Sequence, residues 1–301
     1  MELWIPITIC AAFCQNARSA VQKSLQCHVG TTGATFARFG YGLPFAAIYV
    51  IVLHVGFSLP LPSLNAVFLV AGAAGGLAQI AGTFLLVYLF SQRNFAVGTA
   101  YSKTEPIQAA LFGFVLLGEK ISWASAGFIL VGIGGVVVIS LARSSLSLAT
   151  IFSAVLGRSA LIGMASAALF GASAIAYRVA SLALEGTGVA MQAGFALFYA
   201  TVFQTVLMVV WMLLKSPATL QASVKAWRSA TWAGALGIAG SIGWFTAMTL
   251  QNVAYVRALA QIEMVFTLLA SFFVFKEAVS DREILGCILI IAAVVGIVLT
   301  H

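Results

Sequence analysis

Charge is scarce in this sequence, and acid scarcest. Of 301 residues, eight are Asp or Glu and fifteen are Lys or Arg, so charged residues make up 8% of the chain against 62% hydrophobic. That is too little polar surface to clothe a water-soluble globule, and lipid is the natural solvent. Cysteine is also rare. Cys10, Cys14, Cys27 and Cys287 form no C-x-x-C pair, and the first two lie one helical turn apart. They read as small packing residues rather than disulfide or metal partners. His28, His54 and His301 show no ligand spacing, so neither a metal site nor a cofactor is expected. The absence of a Gly-rich P-loop excludes a pump fuelled by its own P-loop ATPase. A net charge of +7 is spread over loops without interleaved aromatics, so nucleic acid is not an expected partner.

Long apolar runs are present in abundance. They recur near the roughly 20 residues that a helix needs to cross about 30 Å of hydrocarbon. The expected spans are 3–23, 33–57, 65–90, 95–117, 122–141, 160–183, 189–214, 231–251, 254–275 and 284–300. Unpaired backbone groups are intolerable in the bilayer core, and the runs lack the period-2 alternation of barrel strands, so the spans are helices. No basic segment precedes the first and no small-residue cleavage site follows it, so it is expected to remain as a helix rather than be removed as a signal peptide.

An internal repeat organises these helices. Glu105 and Glu263 lie 158 positions apart, as do Glu119 and Glu277, and the same shift lays Ser122 on Ser280, Ala96 on Ala254 and Gly76 on Gly234. A shift of 157 lays Phe13 on Phe170 and Ser24 on Ser181. Each copy holds five spans, an odd number, so the second copy enters the membrane from the opposite side. The expectation is an all-α integral membrane protein of about ten transmembrane helices in two inverted five-helix repeats, 1–143 and 160–301, joined by a connecting loop 144–159. Such symmetry places a cavity between the halves and favours alternating access. Gly72 and Gly76, and the stripe Gly234, Gly237, Gly240 and Gly243, are expected to bring helices close together.

Charges inside the spans mark the candidate site. Arg38, Arg178 and Arg257 fall within about two turns of an expected helix end and read as interfacial anchors. Arg18 also falls inside a span. Lys103, Glu105 and Glu263 sit near mid-span, where one charge costs roughly 2.5 to 3.5 kcal/mol. A wet cavity, an ion pair or protonation would offset that cost, and a cavity-lining role is preferred over ion pairs with Arg38 or Arg178. At about 100° per residue, Tyr101, Glu105, Gln108 and Phe112 share one face of the fourth span, with Lys103 pointing away. Pro106 removes a backbone bond to the Ser102 carbonyl and kinks that helix. Gln261 is the positional counterpart of Lys103, and Arg257 shares its face. Tyr88, Tyr101, Trp244 and Tyr255 are candidate walls of the site, with Gln79 and Gln251 as hydrogen-bonding partners. Glu119 and Glu277 end the fourth and ninth spans and read as structural. Ser280 with Glu283 forms a capping box, and Ser122 caps the fifth helix.

These residues resemble the drug/metabolite transporter superfamily, in its ten-helix form with two EamA domains. The resemblance rests on Ser102-Lys103-Thr104-Glu105-Pro106, Leu117-Gly118-Glu119-Lys120, Phe170-Gly171-Ala172-Ser173 and Phe275-Lys276-Glu277. Phe13-Cys14 replaces a common Trp-Gly, and Met264 stands where the first half has Pro106. The resemblance implies a central cavity, lined by the third, fourth, eighth and ninth helices, that takes a small metabolite. The function expected is secondary active export of a small polar or zwitterionic, amino-acid-like metabolite, with protons as a coupling ion. Efflux of hydrophobic organic cations is the alternative within transport. An integral enzyme acting on a lipid or polyprenyl-linked sugar is the alternative of another class, disfavoured by short loops without a His/Asp/Ser cluster.

The expected setting is the inner membrane of a bacterium, as a monomer or weak dimer. Lys23, Arg93, Arg143, Arg158, Lys215, Lys225, Arg228, Lys276 and Arg282 fall on one side and only Lys120 on the other. The positive-inside rule makes the first side cytoplasmic and puts both termini outside, against the usual description of similar ten-helix proteins.

Overall fold

The computed structural model describes residues 2–89, 102–142, 157–273 and 280–300, and helices are the regular structure found among them. The first, α1 (Trp4–Gly40), is interrupted at Gly30, whose φ of 68° and ψ of −179° suit glycine alone. The chain reverses there: Gln22 Nε2 donates to the Ala34 carbonyl at 2.8 Å. Two spans therefore meet at a one-residue hinge, where the sequence led us to expect a loop over 24–32. The second span continues through α2 (Leu43–Ile51) and a π turn, Val52–Gly56. There follow α3 (Ala66–Leu89), α4 (Glu105–Leu117), α5 (Trp123–Ala142), α6 (Arg158–Leu182) and α7 (Val189–Lys215). A short α8 (Pro217–Lys225) leads to α9 (Trp227–Leu250). Then come α10 (Val253–Leu259), a 3₁₀ turn Ala260–Ile262, α11 (Glu263–Phe273) and α12 (Asp281–Thr300).

Six described stretches are individually long and apolar enough to span a bilayer, and the first of them, Trp4–Gly56, crosses twice. With α4, α5 and the α10–α11 pair they make ten. The chain is an all-α integral membrane protein built as two inverted five-helix repeats.

Packing follows the same symmetry. The largest interfaces are α1 with α9, α3 with α6, and α5 with α12. Under the repeat shift the first span maps onto α6 and α3 onto α9, so the first two interfaces are one contact seen from either half. Lipid supplies no hydrophobic drive between helices, and close approach of small residues replaces it. A Cβ on Gly234 would lie 2.4 Å from the Tyr41 carbonyl carbon, and one on Gly243 2.7 Å from Ala11 Cβ. The α9 stripe is therefore the seat of α1. At α5–α12, Gly135 and Gly286 each bring the added atom within 2.7 Å of the other's carbonyl oxygen. Gly72 and Gly76 face Tyr199 and Phe203 of α7.

The helix ends are capped as the sequence suggests. Ser280 N and Oγ donate to Glu283 Oε2 at 2.9 and 3.1 Å, and Ser125 N donates to Ser122 Oγ at 3.1 Å. Gly118, at φ 66°, ends α4, with the Glu119 amide donating to the Gly113 carbonyl at 3.1 Å.

Candidate functional site

A cavity of about 230 Å³ lies between the halves. From the first repeat it is lined by Gln15, Asn16, Arg18, Ser19 and Arg38 of α1, Gln79 and Leu86 of α3, and the segment 102–106. From the second it takes Phe170 and Tyr177 of α6, Ser241, Trp244, Phe245 and Met248 of α9, and Arg257, Ala260, Gln261, Glu263 and Met264.

Both glutamates sit where a helix has just been interrupted. Ser102 is helical, Lys103 and Thr104 form a turn, and α4 starts at Glu105 with Pro106 beside it in the first turn. Proline belongs there, because the first-turn amides lack intrahelical acceptors anyway. In the second half, where Met264 replaces the proline, the interruption is the milder 3₁₀ turn, and Glu263 opens α11. Each carboxylate thus meets the positive end of a helix dipole.

Two ion pairs cross between the repeats at this level. Glu105 Oε1 lies 3.1 Å from Arg257 Nε, and Lys103 pairs with Glu263. Gln15 Nε2 donates to Glu263 Oε2 at 3.0 Å, and Asn16 Nδ2 to the Glu263 carbonyl at 3.0 Å, which ties α1 to the start of α11. Arg257 lies over Trp244, its Cζ 5.0 Å from the ring centroid. The Lys103 and Glu105 side chains keep 24% and 19% of their exposure, so the pairs border the cavity instead of being sealed away from it.

Arg18 and Arg38 are held differently. Their exposures are 7% and 5%, and neither makes an ion pair with a described carboxylate. Arg38 Nη1 donates to Thr83 Oγ1 at 3.1 Å, and Arg18 Nη2 reaches Ser19 Oγ at 3.5 Å. Four cations and two carboxylates therefore line the cavity. Two uncompensated charges at mid-membrane cost about 5 to 7 kcal/mol on an insertion scale, which only polar surroundings or a charged occupant offsets.

Several expectations need correction. Lys103 does not point away from the glutamates, because the turn at Lys103–Thr104 breaks the helical wheel on which that reading relied. The glutamates line the cavity and are also ion-paired, with Arg257 and Lys103 rather than with Arg38 or Arg178. None of Arg38, Arg178 and Arg257 snorkels. Arg178 Nε lies 2.7 Å from Glu119 Oε1, while its Nη1 donates to the carbonyls of Met248 and, at 2.6 Å, Gln251. It clamps the ends of α4 and α9, so Glu119 is structural through an ion pair and not only through its turn.

Of the candidates, Glu105, Glu263, Lys103, Gln261, Trp244 and Gln79 border the cavity. Gln108 does not; its Nε2 donates to Thr104 Oγ1 at 3.0 Å. Tyr88 stands off it, its hydroxyl accepting from Arg158 Nη2 at 3.2 Å. Tyr255 is 7% exposed within the packed core, and the Gln251 side chain accepts from the Asn252 amide at 2.8 Å. Tyr101 and Glu277 lie outside the described residues. Unforeseen were Arg18 as a cavity residue, its neighbours Gln15, Asn16 and Ser19, and Tyr177, whose hydroxyl donates to Gln79 Oε1 at 3.1 Å. A signal existed: Gln15, Ser19, Gln22 and Gln26 recur at helical spacing along one apolar span.

The model of the EamA-like transporter family matches residues 2–141 and again 157–299. The chain belongs to the EamA-like transporter family. Its two matches fall on the two repeats, so this EamA protein carries its family's unit twice. No curated protein matches it. A solved structure titled only "Crystal structure of protein" matches over 98% of this chain and 96% of its own, with a TM-score of 0.65 and 20% identity. That likeness is one of fold.

Proposed function

We propose that this EamA protein is a secondary active exporter that moves a small polar metabolite through the central cavity by alternating access. The observation that carries the reading is the cavity itself, bordered by charged side chains from both inverted repeats and crossed by the Lys103–Glu263 and Glu105–Arg257 pairs. Ion pairs between halves are contacts that one arrangement makes and another releases, as a rocking mechanism needs. The two repeats in this reading are residues 1–143 and 160–301, joined by 144–159. A volume of about 230 Å³ falls below the roughly 300 to 1,000 Å³ of drug-sized sites, and favours a metabolite over bulky hydrophobic cations. An amino-acid-like cargo loses some support, because the two carboxylates that would hold its amine already face Arg257 and Lys103.

Glu105 or Glu263 is the coupling group in this scheme: a proton arriving at the carboxylate releases its cation. Exchange of a labelled metabolite mixture across reconstituted vesicles tests it. Glu105→Gln and Glu263→Gln should each lower the exchange rate at least tenfold and abolish accumulation driven by a pH gradient. Unchanged rates and pH dependence in both variants would remove these residues from the mechanism. The charge-rich loops face the cytoplasm of a bacterial cell, with both termini outside.

A further inference from the structure

The unpartnered buried polar atoms around the cavity are mostly donors, with Gln261 Oε1 an acceptor among them. Arg18 Nε, Trp244 Nε1 and Gln261 Nε2 are buried donors without acceptors, on residues that are 7%, 4% and 5% exposed, and all three residues line the cavity. Arg18 and Arg38 also approach one another. Arg18 Cδ and Arg38 Cγ each lie 3.5 Å from the point where a Cβ on Gly237 would stand. Both guanidinium stems thus pass the same point of α9, at ordinary van der Waals distance from a Cβ there. Like charges this close repel, and a buried donor left without an acceptor is costly. Protein acid does not resolve the arrangement. Of the eight acidic residues in the chain, Glu105 and Glu263 are the ones that border the cavity among the described residues, and both are engaged by other cations. A third carboxylate, Glu119, is held by Arg178.

We propose that the cargo is a small organic anion, carrying a carboxylate or a phosphate, whose acidic group is received between Arg18 and Arg38 with Trp244 and Gln261 donating to it. This rests on the transport reading above and narrows its substrate class. Guanidinium groups suit the task, because each presents several donors in a planar fork that matches carboxylate and phosphate oxygens. A dianion neutralises the surplus of two positive charges during the crossing and a monoanion half of it, and the unloaded carrier keeps that repulsion at its centre. Neutral and cationic solutes of the same size lack this contribution and are discriminated against by charge.

Thermal unfolding of the full-length protein in detergent at constant ionic strength tests the assignment, with succinate, glycerol 3-phosphate, alanine and choline as probes. A ligand that binds only the folded state raises the midpoint. At least one of the two anions should raise it by several degrees at millimolar concentration, and alanine and choline should not. Which anion does so separates carboxylate from phosphate recognition. Arg18→Gln and Arg38→Gln should each weaken the effective anion at least tenfold. Should either fail to fold, Trp244→Phe removes the indole N–H with part of the ring while keeping an aromatic face, and should weaken binding severalfold with both arginines in place. No shift with either anion, or an anion response that survives all three substitutions, overturns the assignment. Counterflow in vesicles keeps the two levels apart. Exchange of alanine or choline without either anion defeats the anionic assignment and leaves transport standing. Anion binding without any exchange defeats transport and leaves the site.

Discussion

Arg178 shows how much one side chain holds together when water is absent. Its guanidinium joins Glu119 at the end of α4 to the Met248 and Gln251 carbonyls at the end of α9, so it neutralises a carboxylate and supplies acceptor-rich helix ends with donors. Removing one partner of a buried pair costs about 3 to 5 kcal/mol. Arg178→Leu should therefore lower the unfolding midpoint of the purified protein by many degrees. Arg178→Lys should recover little, because a point cation does not span three acceptors. Thermal unfolding in detergent checks both. This role was hidden in the sequence. An arginine two turns from a predicted helix end has the same local pattern whether it snorkels or clamps, and only the neighbouring helices decide. Arg18 was obscured for a different reason. Its helical arm runs to the hinge at Gly30, not to residue 23, so it lies about 18 Å from that end, at 1.5 Å per residue, and is too deep to snorkel to the interface. Glu105 and Glu263 were legible because charge at mid-span is rare and the 158-residue shift pairs them.

Among the helices, glycine decides how close two axes come. Gly234 admits the backbone at Tyr41–Gly42, to which an added Cβ would come as near as 2.4 Å. Gly234→Ala should push α1 from α9 and lower stability by about 1 to 3 kcal/mol, the range for overpacking. Gly127 on α5 has nothing within 4 Å of the added atom, and Gly127→Ala should leave the unfolding midpoint unchanged or raise it, since alanine is the better helix former. Equal effects in the two variants would show that the stripe does not set the spacing. The glycine stripe, the spans and their caps could be read in advance, because apolar length, spacing and capping chemistry are local. Two breaks were less legible. Gly30 sits in a run that gives no sign of a one-residue reversal. On sequence alone Pro106 predicts a kink within a continuous helix, whereas it lies in the first turn of α4 after a break at Lys103–Thr104. That difference turns Lys103 toward Glu263.

At the scale of the whole molecule, the two repeats account for the fold and the cavity, while the cations gather on one side. Among the described loop and helix-end cations, Lys23, Arg158, Lys215, Lys225, Arg228 and Arg282 lie on one side of the helix bundle and Lys120 on the other. Cys27 is exposed, near Lys23 on the charge-rich side. In a chain retaining this cysteine alone, a membrane-impermeant maleimide should label it from the cytoplasmic face only. Labelling from outside would reverse the proposed orientation without affecting the fold. Alternating access is tested most directly at Ser241, which borders the cavity on α9 and is 7% exposed. With the four native cysteines replaced by alanine, Ser241→Cys should react with a small impermeant thiol reagent added to either face of sealed vesicles, at rates that cargo shifts in opposite directions. Reaction from neither face, or from one face regardless of cargo, would contradict a cavity that opens to both sides.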